Sequence, residues 1–253
     1  MFSVEQREKL RTELLREAEL DSRISGAAIT GSAAVGREDR WSDIDLAFAI
    51  ANGNELDNVL SDWTVRMYRQ SSALHHLDVR SDAWIYRMFL LPGTLQVDLA
   101  FVPAPEFRAL GPTFKLVFGK AAESHTPPHS SPEELIGWAW LYAIHARTCI
   151  ARRKLWQAEY MISGTRDHAL ALACLRMGLP VSHGRGMDEL PGEVVQKFKE
   201  GLVRRLDTEE LFRAFRVVID ALLHEIQSVD GGLAERLQSS LVSLGEVSHV
   251  TSS

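Results

Sequence analysis

The 253-residue sequence predicts an α+β fold, with strands and helices in its first half and a bundle of helices in its second. Three observations support this prediction. Short apolar or alternating runs are separated by turn residues in the first half, a Pro-, Ser- and His-rich stretch follows, and beyond it apolar residues recur every three or four positions. We therefore divide the chain into a domain at 1–122, a linker at 123–132, a helical domain at 133–245 and a tail at 246–253.

The first half contains the elements of a sheet with helices beside it. Residues 3–20 and 54–68 have the apolar spacing of amphipathic helices. The segment DIDLAFAI at 43–50 alternates acid and apolar residues and then becomes wholly apolar, which is typical of a central strand with a functional end. By themselves these patterns fit either an α+β or an α/β domain. Strands are predicted at 27–30, 43–50, 74–79, 84–91 and 95–102.

The second half is predicted to be helical throughout. The stretch GKAAESHTPPHSSP at 119–132 has almost no large apolar side chain, so the linker is predicted within it. The breaks between later helices fall at Gly-Leu-Pro and Leu-Pro-Gly sequences. The final EVSHVTSS is polar enough to be a frayed tail. Helices of the predicted bundle cover 133–153, 155–177, 193–202 and 208–228.

The overall composition is that of an ordinary globular protein, with 45% apolar and 25% charged residues. A net charge of −6 argues against a broad nucleic-acid-binding surface, because such a surface needs a positive field. The first 20 residues lack the apolar core of a signal peptide, and no run of about 18 apolar residues occurs. We therefore expect a cytoplasmic protein with no membrane or nucleic-acid partner; the sequence does not indicate an oligomeric state.

Three acidic residues occupy positions suited to metal binding. Asp43 and Asp45 stand one residue apart at the start of a predicted strand. Alternate residues of a strand project to the same face, roughly 6.6 to 7 Å apart, so both carboxylates can converge on metal ions while Ile44 faces the core. Asp98, in LQVDLAFV, is flanked by apolar residues that face the core. Its carboxylate then points the other way, where it needs a partner or a metal.

A Gly-Ser pair precedes the two clustered acids by ten residues. Gly31 lacks the β carbon that would block the approach of a phosphate, and Ser32 can donate its N–H and hydroxyl to a phosphate oxygen. Gly36 gives the loop further freedom. Gly-Ser or Asp-x-Asp alone is common in structural roles. The combination of strand, Gly-Ser, ten-residue loop, Asp-x-Asp and a later apolar-flanked acid is specific, and it indicates metal-assisted chemistry on a nucleoside triphosphate.

The segment TGSAAVGREDRWSDIDLAF, with VDL around Asp98, resembles the nucleotidyltransferase superfamily of DNA polymerase beta over about residues 24–103. The resemblance implies a mixed sheet flanked by helices, a nucleoside triphosphate co-substrate, and two Mg²⁺ ions held by Asp43, Asp45 and Asp98. With a helical bundle after this domain, the arrangement looks like the antibiotic nucleotidyltransferases that modify aminoglycosides or lincosamides.

In that group a bundle carboxylate can act as general base on the acceptor hydroxyl, and a bundle cation can contact the phosphates. Here Glu159 matches the base and Arg166 the phosphate contact, about two turns apart on one helix face. Such a base needs a raised pKa to accept a proton near neutrality. The alternative for Glu159 is an exposed acid paired with a neighbouring base. Trp156 or Tyr160 could stack against a sugar or a nucleobase.

The sequence therefore predicts a metal-dependent enzyme that moves a nucleoside monophosphate, with AMP as the expected group, to a hydroxyl of a small molecule. An aminoglycoside-like antibiotic is the first acceptor to consider, with a role in antibiotic resistance as the corollary. Two alternatives remain open: a protein nucleotidyltransferase that acts on a partner toxin, and a non-catalytic nucleotide-binding regulatory module. The presence of all three acids weighs against the second alternative.

Overall fold

The structure is a computed structural model that describes residues 1–124 and 130–246. Within the predicted linker, 125–129 lie outside the described residues, as do 247–253 of the predicted tail. The domain bounds drawn from the sequence therefore stay predictions. The chain divides into two compact units, Met1–Pro127 and Pro128–Ser253.

The first unit is built on a mixed sheet. Its described residues form the strands β1 (Ile24–Thr30), β2 (Ile44–Ile50), β3 (His75–Ser81), β4 (Trp84–Leu90), β5 (Gln96–Pro103) and β6 (Phe114–Phe118). They pair in the order β3-β4-β5-β2-β1-β6. β2 and β5 run parallel, whereas each of the other neighbouring pairs described runs antiparallel. The predicted α+β class and mixed sheet are confirmed.

The longer helices of the first unit pack on one face of this sheet. The helices are α1 (Val4–Leu20), α2 (Gly31–Ala34) and α3 (Leu56–Gln70). α1 begins with a capping box, in which Ser3 Oγ accepts from the Gln6 amide and Gln6 Oε1 accepts from the Ser3 amide. Leu14 of α1 and Trp63 of α3 join a buried cluster with side chains of β2 and β5. The packing of α1 and α3 leaves the opposite sheet face for other contacts.

Alternation along the strands separates the two faces. On β2, Ile44 and Phe48 belong to the cluster beneath α1 and α3, and Ile44 is fully buried as predicted. Ala47 and Ala49 belong to a separate cluster on the other face. Because side chains alternate along a strand, Asp45 lies on the face of Ala47, away from α1 and α3.

Four local features differ from the sequence prediction. β1 begins at Ile24 rather than at residue 27, and it includes Gly26, whose missing β carbon would lie 3.3 Å from the carbonyl oxygen of Phe118. The Gly-Ser connection contains the single turn α2 and is not a loop throughout. β6 was not predicted, because its pairing with β1 is non-local and leaves no short pattern. The helix at Gly231–Leu244 was also missed, although Asp230 caps it.

The second unit is helical in its described part, as predicted. Its helices are α4 (Pro132–Ala151), α5 (Leu155–Arg176), α6 (Gly192–Glu200), α7 (Thr208–Val229) and α8 (Gly231–Leu244). The N-caps of α4, α7 and α8 are Ser131, Asp207 and Asp230, and each accepts a backbone N–H from the first turn. Across residues 1–124 and 130–246, no helix combines the length and apolar character that crossing a bilayer requires.

Candidate active site

Three carboxylates meet where β2 and β5 begin. One oxygen from each of Asp43, Asp45 and Asp98 lies within 4.8 Å of the others. Asp45 and Asp98 are direct partners in the parallel pairing of β2 with β5, and Asp43 immediately precedes β2. All three residues are partly exposed. The register of two parallel strands thus brings acids that are distant in sequence to one point.

Asp98 has a raised pKa. Burial, with a smaller contribution from the negative charge of Asp43, raises its pKa from the ordinary value of 3.8 to about 6. The side-chain amide of Gln96 opposes this rise in pKa by donating to both carboxylate oxygens, at 2.9 and 3.1 Å. Asp98 is therefore ionised at neutral pH but takes up a proton in mild acid.

Gly31 stands directly beside this carboxylate cluster. Its φ is +64°, and a β carbon built on it would overlap Oδ2 of Asp45. The absence of a side chain at Gly31 therefore leaves room for the Asp45 carboxylate, in addition to the room for a phosphate that the sequence predicts. Ser32 is partly exposed, and its carbonyl oxygen accepts from the Arg37 amide at 3.0 Å. The Gly-Ser turn and the three acids therefore form one continuous site.

The donor set fits a hard divalent cation. Carboxylate oxygens are the ligands that Mg²⁺ and Ca²⁺ prefer in proteins. Three carboxylates this close repel one another when ionised, and a bound cation relieves that repulsion. Within the described residues, this is the one group of three or more His, Cys, Asp or Glu side chains with ligand atoms so close together.

Comparison with solved structures finds chains that are similar to this one. The chain is similar to an aminoglycoside 6-adenyltransferase. That protein is from Bacillus subtilis and shares 10% sequence identity with this chain. The similarity covers 91% of this chain and 95% of that chain, with a TM-score of 0.41. No protein-family model matches the sequence, and no curated protein matches it.

Glu159 and Arg166, the two candidates predicted in the bundle, lie on α5 of the second unit. Glu159 is partly buried and accepts a hydrogen bond from Ser163 Oγ at 2.7 Å. Arg166 donates to Asp167 Oδ1 through Nε at 3.1 Å and Nη2 at 2.9 Å. The roles of Glu159 as base and of Arg166 as phosphate contact stay predictions.

The two predicted stacking residues are both open to solvent. Trp156 is 77% exposed and Tyr160 is 62% exposed. The ring of Tyr160 lies 6.4 Å from that of Tyr142. Exposed rings of this kind are free to stack on a ligand, but the geometry does not select one of the two.

The sequence analysis missed Gln96, whose side-chain amide donates to both carboxylate oxygens of Asp98. A signal for it was present, because Gln96 stands two residues before Asp98 on the same strand. Side chains two residues apart share a face of the sheet, so a polar residue at that spacing is a natural hydrogen-bond partner.

Proposed function

We propose that the protein is a nucleotidyltransferase that moves a nucleoside monophosphate, with AMP as the expected group, from a nucleoside triphosphate to a hydroxyl of a small molecule. The observation that carries this proposal is the cluster of three carboxylates beside the Gly-Ser turn. In the reaction, the acceptor oxygen bonds to the α-phosphorus while the bond from that phosphorus to the bridging oxygen breaks. Pyrophosphate leaves, and a base takes the hydroxyl proton.

Asp43, Asp45 and Asp98 would hold the metal, for which two Mg²⁺ ions are expected. When bound, Mg²⁺ neutralises the triphosphate and stabilises the attacking and leaving oxygens. The protein's own part is to hold three carboxylate oxygens close together where the two central strands begin. Gly31 lets the Asp45 carboxylate sit against the turn, and Ser32 follows it with a hydroxyl that can donate to a phosphate oxygen. Glu159 remains the proposed base for the acceptor hydroxyl.

The strand register also distinguishes two sides of the site. Gly31 lies on the β1 side of the acids, whereas on the other side Asp98 is paired with Met88 of β4, and Met88 with Leu77 of β3. Paired side chains share a face, so the surface beyond Asp98 extends across two strand spacings, about 10 Å. Leu77 is 60% exposed and Val79 is 46% exposed. We therefore place the triphosphate toward Gly31 and an acceptor with an apolar portion toward β4 and β3.

The test is pyrophosphate release with Mg²⁺, each of the four common nucleoside triphosphates, and a panel of acceptors. Aminoglycosides and lincosamides suit the panel, because the first are polycationic and the second carry apolar groups. We expect acceptor-dependent release that falls about 100-fold or more in Asp45→Asn, because a metal ligand is lost. Asp57→Asn, an exposed acid of α3, is the matched control and should keep full activity.

The remaining outcomes separate the alternatives. Release that is unchanged in Asp45→Asn would refute the proposed role of the acid cluster. Nucleotide binding without release from any pair would favour a non-catalytic nucleotide-binding module. Release that requires a co-purifying protein would favour nucleotidylation of a protein, such as a partner toxin.

A further inference from the structure

Asp43 differs from the other two acids in how its position is fixed. Asp45 and Asp98 lie inside paired strands, where backbone hydrogen bonds hold them. Asp43 precedes β2, which begins at Ile44, so the sheet does not hold it. Its place therefore depends on the connection at 35–42, which joins α2 to β2.

A buried arginine of α1 binds this connection. Arg7 is only 2% exposed. Its Nη1 donates to the carbonyl oxygens of Asp39, at 2.5 Å, and of Ser42, at 3.0 Å. Its Nε lies 3.4 Å from Glu38 Oε1, and Glu38 is also paired with Arg11. A buried cation is costly unless its charge and donors are compensated, so the position of α1 and the conformation of the connection depend on each other.

The connection is closed on itself at the point where Arg7 binds it. Asp39 Oδ1 accepts from the Trp41 amide at 2.7 Å and from Ser42 Oγ at 3.1 Å. Ser42 Oγ in turn accepts from the Asp39 amide at 2.9 Å. The Ser42 carbonyl that Arg7 holds belongs to the peptide group that leads into Asp43. Because a peptide group is planar, fixing that carbonyl also fixes the amide nitrogen and Cα of Asp43.

We propose that Arg7 is a positioning residue for the metal site, which holds the Ser42–Asp43 peptide so that the Asp43 carboxylate meets those of Asp45 and Asp98. The inference rests on the proposed function, since it requires the three acids to bind a divalent cation. Arg7 acts through Asp43 and touches none of the reacting atoms. Residues that orient metal ligands in this way typically change metal affinity by about 10- to 100-fold when replaced.

The first measurement is Mn²⁺ affinity by electron paramagnetic resonance, on the full chain. Arg7→Met should weaken binding about 10- to 100-fold. Arg87→Met is the matched control, because Arg87 is a poorly exposed arginine that binds the Asp78 carboxylate at 2.6 Å and the Leu60 carbonyl at 3.3 Å. Arg87 also donates to the Thr64 hydroxyl, and all three of its partners lie on the side of the sheet away from the acids. Arg87→Met should therefore lose stability but keep the Mn²⁺ affinity of the wild type within about threefold.

A double-mutant cycle distinguishes positioning from general destabilisation. If Arg7 acts through Asp43, Arg7→Met should have no further effect on Mn²⁺ affinity in an Asp43→Asn background. Arg7→Lys keeps the buried positive charge, and it should fold and weaken Mn²⁺ binding by a smaller factor than Arg7→Met. It is the variant to compare if Arg7→Met does not fold.

Two results would overturn this inference and leave the proposed function standing. The first is wild-type Mn²⁺ affinity in both Arg7 variants. The second is a loss of Mn²⁺ affinity from Arg7→Met that is equally large with and without Asp43→Asn. A wild-type chain that binds no Mn²⁺ would instead refute the proposed metal site and, with it, the role of Arg7. The two failures are therefore distinguishable by whether the wild-type chain binds the metal.

Discussion

Replacing Gly31 by alanine tests how closely the turn and the acid cluster fit together. At this position φ is +64°, and the added β carbon would overlap Oδ2 of Asp45 and press on its Cγ. The substitution therefore has two effects, a strained backbone and a displaced carboxylate. Gly36 separates them, because its φ is +67° and nothing lies within 4 Å of the β carbon that alanine would add.

The backbone effect is similar at both positions. A left-handed conformation costs a non-glycine residue about 1 to 2 kcal/mol, so Gly36→Ala should lower the free energy of unfolding by that amount without displacing the Asp45 carboxylate. Gly31→Ala has the same cost in free energy of unfolding, and the added β carbon must also rotate or shift the Asp45 carboxylate. A displacement of about 1 Å at a catalytic group can reduce rates by about 100-fold.

The assay compares both alanine variants by urea unfolding, Mn²⁺ affinity and pyrophosphate release. We expect Gly31→Ala to lose at least tenfold in Mn²⁺ affinity relative to Gly36→Ala, because a metal ligand is displaced. If the two variants have equal metal affinity and equal activity, the Asp45 carboxylate does not depend on the space that Gly31 leaves. The account of the Gly-Ser turn given above would then be wrong.

Three further predictions concern the acids, the apolar strip and the bundle. The pKa of Asp98 is raised from 3.8 to about 6, so the metal-free protein in EDTA should lose stability as the pH rises from about 4 to about 6, and Mn²⁺ binding should weaken below about pH 6. Asp98→Asn should remove this dependence of the free energy of unfolding on pH, measured by urea unfolding. If the free energy of unfolding falls equally with pH in the wild type and in Asp98→Asn, the raised pKa does not belong to Asp98. Leu77→Glu should raise the acceptor KM and leave the nucleotide KM unchanged. Val65→Glu should change neither KM, because Val65 is a 45% exposed residue of α3, which packs on the face of the sheet away from the acids. Equal effects of both substitutions on the acceptor KM would argue against an acceptor on β3. Arg176→Met should lower the free energy of unfolding by about 3 to 5 kcal/mol, because it leaves the Glu225 carboxylate, which is 1% exposed, without its ion-pair partner at 2.9 Å. Replacing Glu225 by methionine as well should restore part of that stability. If the double variant is no more stable than Arg176→Met, the unpaired charge of Glu225 is not the cause of the loss.

Much of the fold and the core of the site could be predicted, because their signals are local. Period-two alternation predicted that Ile44 faces the core, and it is fully buried. The same alternation predicted that Asp98 points away from the apolar residues around it, and its carboxylate lies with those of Asp43 and Asp45. Apolar spacing and breaker residues predicted four helices of the second half, α4 to α7. Each of these inferences uses residues only a few positions apart.

What could not be predicted depends on contacts between distant segments. Arg7 binds carbonyl oxygens 32 and 35 positions further along the chain, and backbone carbonyls carry no side-chain signature in a sequence. The constraint on Gly31 comes from Asp45, on another strand. The pKa of Asp98 depends on its burial, which only the assembled sheet defines. The helix α8 is a different case, because the apolar spacing of Ala234 and Leu241 was present in the sequence.

The parallel pairing of β2 with β5 has a consequence for the choice of ion. The Cα atoms of Asp45 and Asp98 are one inter-strand spacing apart, about 4.8 Å, so backbone hydrogen bonds fix the points from which both carboxylates project. The side-chain rotamers then set the distance between the carboxylate oxygens. Mg²⁺ binds oxygen at about 2.0 to 2.1 Å and Ca²⁺ at about 2.3 to 2.6 Å, so two oxygens on one ion can lie at most about 4.2 Å apart for Mg²⁺ and about 5.2 Å apart for Ca²⁺. We therefore expect the main chain to fix which two residues share an ion, and the rotamers of the two aspartates to select its radius.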